Sequence, residues 1–303
     1  MTEKFLVYGG NGAQGGAVVR ALLAKGAKVR LFTRSLEDGQ FQRDSRVELA
    51  LGDLDDLPSV RAASRGVSGI YAMMPLAYDS EKVLRWGHNA IDAAADAGAR
   101  MLVFNTSGRG TGHPTGVPML DVKLELERYL QESRVPSVTL RTTLFMGNLG
   151  APWSAPSLFH QGVLAYPLPA DLPVSWISWE EAAAYAVAAL ERPDLGARKL
   201  VLQSGGAEAL TGDQLAEIMS GVLGKPVRYH ALALEQLEPA LNAMLGAPAG
   251  TEIARYYRYL GTTGSGNLAV DLAPLRAELP VPQRKFEAWA REFPWAMLAG
   301  AGK

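Results

Sequence analysis

Three glycines separated by two residues each, Gly9, Gly12 and Gly15 in Tyr8-Gly-Gly-Asn-Gly-Ala-Gln-Gly15, carry the plainest chemistry in this chain. Glycine has no Cβ, so such a turn adopts positive φ and lets a diphosphate approach bare backbone N–H groups. Asn11, Ala13 and Gln14 lie in the same turn and belong to the same expected cofactor cradle. The chemistry requires a strand before the turn and a helix after it, whose free N–H groups and positive dipole end face the phosphates. Both are legible. Lys4 to Tyr8 reads as a buried strand, and Ala13, Ala17, Val18, Ala21 and Leu22 share one helix face that Gly26 stops. The setting predicts dinucleotide binding; the competing reading is a merely flexible glycine turn.

The second strand decides which dinucleotide. Lys28 to Phe32 runs into Thr33-Arg34-Ser35, with no carboxylate before Glu37. An acid there would bond the ribose 2′-hydroxyl of NAD, whereas an arginine clamps the 2′-phosphate of NADP through paired charge-assisted bonds. With Thr33 and Ser35 as hydroxyl donors beside Arg34, NADP(H) is favoured; the alternative is a solvated surface arginine. After the third strand comes Leu51-Gly-Asp-Leu-Asp-Asp56. Either Asp53 accepts the adenine amino group with Leu54 against the ring, or Asp53 or Asp55 caps the helix beginning near Pro58.

The elements that must position these residues alternate. Strands are predicted near 4–9, 27–33, 46–51, 68–74, 100–105 and 137–142, and helices near 12–25, 57–65, 80–97 and 119–134, with Ser80 and Gly98 as start and stop signals. The strands are continuous apolar runs such as Met101-Leu-Val-Phe104, the pattern of a parallel sheet covered on both faces. The expected fold is therefore α/β, a doubly wound parallel sheet with a smaller, mainly helical C-terminal substrate lobe. Residues 1–150 form the expected dinucleotide-binding domain, 180–204 return to it through a helix and a strand, and 151–179 with 205–303 make the lobe. Residues 147–175 hold five prolines, three glycines and three aromatic residues, with Trp176 just beyond, and read as a long irregular excursion. Thr211 is an expected N-cap, and a short strand is expected near Val227 to His230.

Composition narrows the partners. Across 303 residues, 30 basic and 31 acidic side chains give a net charge of −1 without any like-charge block, which argues against nucleic acid. There is no cysteine, so disulfides, thiolate catalysis and cysteine-ligated zinc are excluded together. The four histidines show no ligand spacing, and no metal is expected. No signal peptide is visible at the N-terminus and no apolar stretch approaches membrane-spanning length, so a cytoplasmic protein without membrane contact is expected.

Several segments together resemble one family. They are Gly9-Gly-Asn-Gly12-Ala-Gln-Gly15, Thr33-Arg34, Gly52-Asp53, Asn105-Thr-Ser-Gly, Lys123-Leu-Glu-Leu-Glu127, Leu140-Arg-Thr-Thr-Leu-Phe-Met-Gly-Asn148 and Val174-Ser-Trp-Ile-Ser-Trp-Glu-Glu181. The chain resembles the NmrA-like branch of the atypical short-chain dehydrogenase/reductases over nearly its whole length, most strongly to about Leu190. The resemblance implies a Rossmann domain bearing a smaller substrate lobe. Some members reduce quinones, dyes or phenylpropanoids with NADPH, and others are regulators that bind the dinucleotide without known turnover. Short-chain dehydrogenases typically use Tyr-x-x-x-Lys; here Lys123 matches the lysine, but the residue four before it is Met119, which cannot donate a proton. The resemblance implies that Lys123 bonds the nicotinamide ribose and polarises a substrate oxygen; on spacing alone it equally forms an exposed pair with Glu127.

Ser107, just past the fifth strand, lies at the sheet edge where open α/β folds bind ligands, and Met73, Met74 and Pro75 end the fourth strand on that edge. All four are expected beside the nicotinamide, with turn formation and core packing as the competing roles. Gly108 to Gly116 is a glycine-rich lid or surface loop that would aim Arg109 or His113 at a substrate. Phe145, Asn148, Trp153, Phe159 and Tyr166 are expected to line an apolar substrate cleft, unless they and Trp176 form the core joining the lobes. The leading expectation is an NADPH-dependent reductase of small apolar electrophiles such as quinones. The alternative is an NADP(H) sensor acting through a protein partner.

Overall fold

The computed structural model describes residues 3–36, 39–262 and 268–295, so Glu37 and the last residues of the expected lobe lie outside the described residues. The apolar runs become strands β1 (Lys4–Tyr8), β2 (Lys28–Thr33), β3 (Val47–Leu51), β4 (Gly69–Ala72), β5 (Leu102–Asn105), β6 (Ser137–Thr142), β7 (Val163–Tyr166), β8 (Leu200–Ser204) and β9 (Arg228–Ala231). Seven of them form a sheet in the order β3-β2-β1-β4-β5-β6-β8, parallel at every pairing, and β7 pairs with β9 in a second, two-stranded parallel sheet.

Both faces of the large sheet are covered, which is why its strands show no polar alternation. Successive side chains point to opposite faces. Phe5 and Val7 pack under α1 (Ala13–Ala24) and α6 (Trp179–Leu190). Leu6 and Tyr8 pack under α2 (Leu57–Ser64), α3 (Ser80–Asp96) and α4 (Pro118–Glu132). The alanine-rich α6, with Ala182, Ala183, Ala186 and Ala189 buried, lies against α1. Small side chains there let the two helices approach closely over one sheet face.

The strand order reverses between β1 and β4. From β1 the chain moves outward through β2 and β3, then returns to β4 on the other side. The crevice at the carboxyl ends of those two strands is the switch point where open α/β sheets bind ligands.

The excursion over 147–175 is not irregular. A 3₁₀ turn (Met146–Gly150), α5 (Ala155–Gln161) and β7 occupy it, because β9, some sixty residues downstream, supplies the hydrogen-bonding edge that β7 needs. Around that pair lie α8 (Gly212–Leu223), α9 (Leu234–Leu245), α10 (Ala249–Thr262) and α12 (Phe286–Glu292), whereas α7 (Pro193–Ala197) and α11 (Ala273–Glu278) pack on the large sheet at β6 and β8. Tyr166, Trp176, Tyr257 and Trp289 centre the core of this region.

Cap chemistry accounts for several helix boundaries. Thr211 forms a full capping box with Gln214, as its type predicts. Asp79, not Ser80, caps α3, accepting from Lys82 N at 3.1 Å. Neither Asp53 nor Asp55 caps α2. Asp56 precedes that helix without a side-chain bond, Asp53 accepts from Asp55 N at 2.9 Å, and Asp55 faces Arg85 at 3.5 Å. Ser178 and Glu181 box the start of α6, and Glu181, only 5% exposed, also accepts from Arg284 N at 2.8 Å. Among the described residues no helix is long and apolar enough to cross a membrane, and no cluster of three metal-ligating side chains occurs.

Candidate functional site

The glycine turn has the geometry its spacing predicts. Gly9 sits at φ +68°, a conformation that L side chains rarely adopt, and its carbonyl accepts from Gly12 N at 3.0 Å. A Cβ on Gly15 would overlap that same carbonyl oxygen and lie 2.6 Å from its carbon, so only glycine lets the first turn of α1 rest on the loop. Gly12 is the N-cap of α1; no side chain caps it and no acid stands in the first turn. The positive end of the helix is left for an external anion.

On one side of the turn a cleft of about 440 Å³ is lined by Gly9, Asn11, Gly12, Thr33, Arg34, Ser35, Asp53, Leu54, Pro75 and Leu76. Thr33 Oγ1 accepts from Asn11 Nδ2 at 3.3 Å and from Ser35 N at 3.2 Å, and donates to Ser35 O at 2.9 Å. Its hydroxyl proton therefore holds the 33–35 turn instead of facing the cleft. Arg34 is exposed and makes no ion pair with a described residue, so its guanidinium is available to a phosphate.

On the other side, across Met73 and Met74, opens a larger slot of about 530 Å³. Gln14, Met73, Met74, Ser107, Met119, Phe145, Asn148 and Trp153 form one wall. Leu237, Leu241, Met244, Leu245, Ile253, Tyr256 and Tyr257 from α9 and α10 form the other. Leu76 borders both spaces, so the phosphate-side cleft and the slot meet there.

Ser107 is held at φ +51°, a costly conformation for a residue with a side chain. Asn105 Oδ1 accepts its N–H at 2.8 Å, and Gly108 N donates to Thr142 Oγ1 at 3.2 Å. Gln14 Nε2 donates to Ser107 Oγ at 2.7 Å, which leaves the serine proton to be given into the slot. Gln14, expected at the phosphates, thus reaches across to orient a slot residue.

Lys123, on α4, lines a small pocket with Ser107, Met119 and Met74. Its surface is only partly covered, yet burial of the amine lowers its pKa to about 8, against the opposing pull of Glu127. The exposed Lys–Glu pair does not form, because Glu127 is buried and takes Arg141 Nε at 3.0 Å. Arg141 in turn packs against Gly110, and Asp121 accepts from Thr115 N and Gly116 N at 2.7 and 2.8 Å. These bonds fasten the 108–116 loop. Arg109 is turned to Gln203 on β8, and His113 is exposed and lines none of these spaces.

The structure brings together the turn, residues 33–35 and 53–54, Met73 to Pro75, Ser107, Lys123, Phe145, Asn148 and Trp153. It sets Phe159 and Tyr166 elsewhere. Phe159 packs in the lobe under the Lys225 ammonium, and Tyr166 is fully buried with its hydroxyl 2.8 Å from that of Tyr257. Tyr256 and Tyr257 were not anticipated. Their only trace in the sequence is a tyrosine pair set among Arg255 and Arg258 on an amphipathic helix.

The model of the NmrA-like family matches residues 1–290. The NAD(P)H azoreductase of Xenophilus azovorans is 31% identical over 239 residues, 79% of this chain and 80% of that protein. A (4-alkanoyl-5-oxo-2,5-dihydrofuran-3-yl)methyl phosphate reductase of Streptomyces griseus is 29% identical over 95% of this chain and 96% of its own. The triphenylmethane reductase of Citrobacter sp., solved with NADP(H), superposes with a TM-score of 0.78 at 21% identity, covering 95% of this chain and 99% of that one.

Proposed function

The chain belongs to the NmrA-like family, and from that premise we propose that it is an NADPH-dependent reductase of small, flat, apolar electrophiles such as quinones. One observation carries this: an open apolar slot adjoins the glycine-turn cleft at the carboxyl edge of the sheet. The residues present fit the dinucleotide. The Gly15 cradle and the uncapped start of α1 suit a diphosphate, and Arg34, exposed and without an ion pair to a described residue, suits a 2′-phosphate. Asp53 and Leu54, which line the cleft, would hold the adenosine, and Met73, Met74, Pro75 and Ser107 would flank the nicotinamide. When bound, the cofactor supplies a hydride. Transfer to a conjugated acceptor depends mostly on alignment, which rigid slot walls provide. Ser107 can donate a hydrogen bond to an acceptor oxygen, and Lys123 places a positive charge near it.

Two of the relatives carry reductase names of their own, which supports turnover here. The sensor reading rests on Met119. It would be favoured by side chains filling the slot, and the slot is open. The test is NADPH consumption with a quinone panel, followed by loss of reduced-nicotinamide absorbance. Turnover of at least one quinone is expected. Tight NADPH binding with no turnover across the panel overturns the reductase reading in favour of a sensor.

A further inference from the structure

The chain lacks the tyrosine expected four residues before Lys123, yet a tyrosine from the other lobe reaches the same slot. A Cβ on Gly108 would lie 3.1 Å from Tyr256 Oη and 3.2 Å from Lys123 Nζ. The phenol of α10 and the amine of α4 therefore flank one backbone position, immediately after Ser107. Tyr256 also lines the slot. Resting on the reductase reading above, we propose that Tyr256, paired with Lys123 across Gly108, is the oxygen-binding acid of this slot and gives the proton that reduction of a quinone requires.

The surroundings suit that role. Burial raises the phenol pKa, and the Arg109 backbone and guanidinium oppose that rise, in the direction of releasing the proton. The Lys123 amine donates no hydrogen bond to a described residue, and its charge is available to steady a phenolate. Met119 fills the position from which a tyrosine on α4 would otherwise enter, and it lines the slot as an apolar surface. Glycine at 108, at φ +153°, lets both groups approach where a side chain would push them apart.

The balance is simple. A quinone gains one hydride from the reduced nicotinamide dinucleotide and one proton. The Tyr256 O–H bond breaks as a new O–H bond forms on the acceptor, and the phenolate regains its proton from solvent. A triarylmethyl cation, by contrast, takes the hydride alone at its central carbon and needs no proton.

The experiment compares Tyr256→Phe with the unaltered protein on both acceptor types. The ratio of quinone kcat to triarylmethyl-cation kcat is expected to fall roughly 100-fold, with the solvent isotope effect on quinone turnover lost. An equal effect on both acceptors overturns proton delivery, since that is what altered packing alone would give. Calorimetry supplies a readout free of turnover. Tyr256→Phe and Lys123→Met are each expected to weaken para-nitrophenol binding about tenfold while leaving nitrobenzene within about twofold. An unchanged preference for nitrophenol overturns the pair. If no acceptor is reduced, the reductase reading and proton delivery fall together, and a lost nitrophenol preference still upholds oxygen recognition by the pair.

Discussion

The two halves of the candidate site are made by opposite means. The phosphate end is built by chain neighbours, with a strand, three glycines and a helix start all within a dozen residues, and its contacts are backbone on backbone. The acceptor end is assembled from distant pieces: Gln14, Ser107, Lys123, Trp153 and Tyr256 come from five separate segments. The first end is fixed by sterics that tolerate almost no substitution. The second is fixed by burial, so each polar group in it bears a cost of desolvation, and Lys123 shows that cost directly.

This contrast can be broken most sharply at Gly15. Gly15→Val places branched carbon where the Gly9 carbonyl stands, and dinucleotide affinity is expected to fall more than 100-fold by calorimetry. Because the damage is local, far-ultraviolet circular dichroism should stay close to that of the parent. Retained affinity would mean that the turn does not cradle the diphosphate.

Arg34→Ala tests the same end through charge instead of shape. Loss of a charge-assisted contact in an exposed setting costs about 1–3 kcal/mol. NADPH binding should weaken accordingly while NADH binding barely changes. An equal loss for both cofactors would remove Arg34 as the reader of the 2′-phosphate.

At the acceptor end the expected effect is smaller and opposite in sign. Lys123 has a folded-state pKa below its ordinary value, so its charged form is disfavoured in the native protein. The unfolded chain binds more protons between about pH 8 and the ordinary lysine pKa, and stability gains with rising pH across that window. Lys123→Met should therefore stabilise the cofactor-free protein at neutral pH by about 1–2 kcal/mol. Denaturant melts should show the advantage shrinking once the pH passes about 8. A destabilised variant would show that the amine is solvated or firmly paired.

Much of the sheet was legible because its signals are local. Apolar runs bounded by glycine and cap residues gave β1 to β6, α1 to α4, α6 and β8 within a few residues. The stretch 147–175 misled because prolines and glycines at intervals resemble a loop, whereas β7 exists only by virtue of β9. Asp79 and Ser80 are both cap-forming residues standing side by side, and the backbone, not the residue type, chooses Asp79. Aromatic residues raised the same difficulty. Nothing local separates Trp153, at the slot, from Tyr166, beneath it, since only the fold decides which ring meets solvent. Tyr256 was invisible for the strongest reason, as its neighbour Lys123 lies on another helix of the other lobe.

Glu181 ties the glycine-turn side of the large sheet to the segment that leads into α12. One carboxylate oxygen holds Ser178 at the head of α6, the helix backing α1, while the other receives the amide of Arg284 near the far end of the described chain. Trimming the protein before residue 284 would strand half of a sealed-in anion behind the very helix that supports the glycine turn. Heat should accordingly dismantle the anion cradle and the segment around Arg284 as one event.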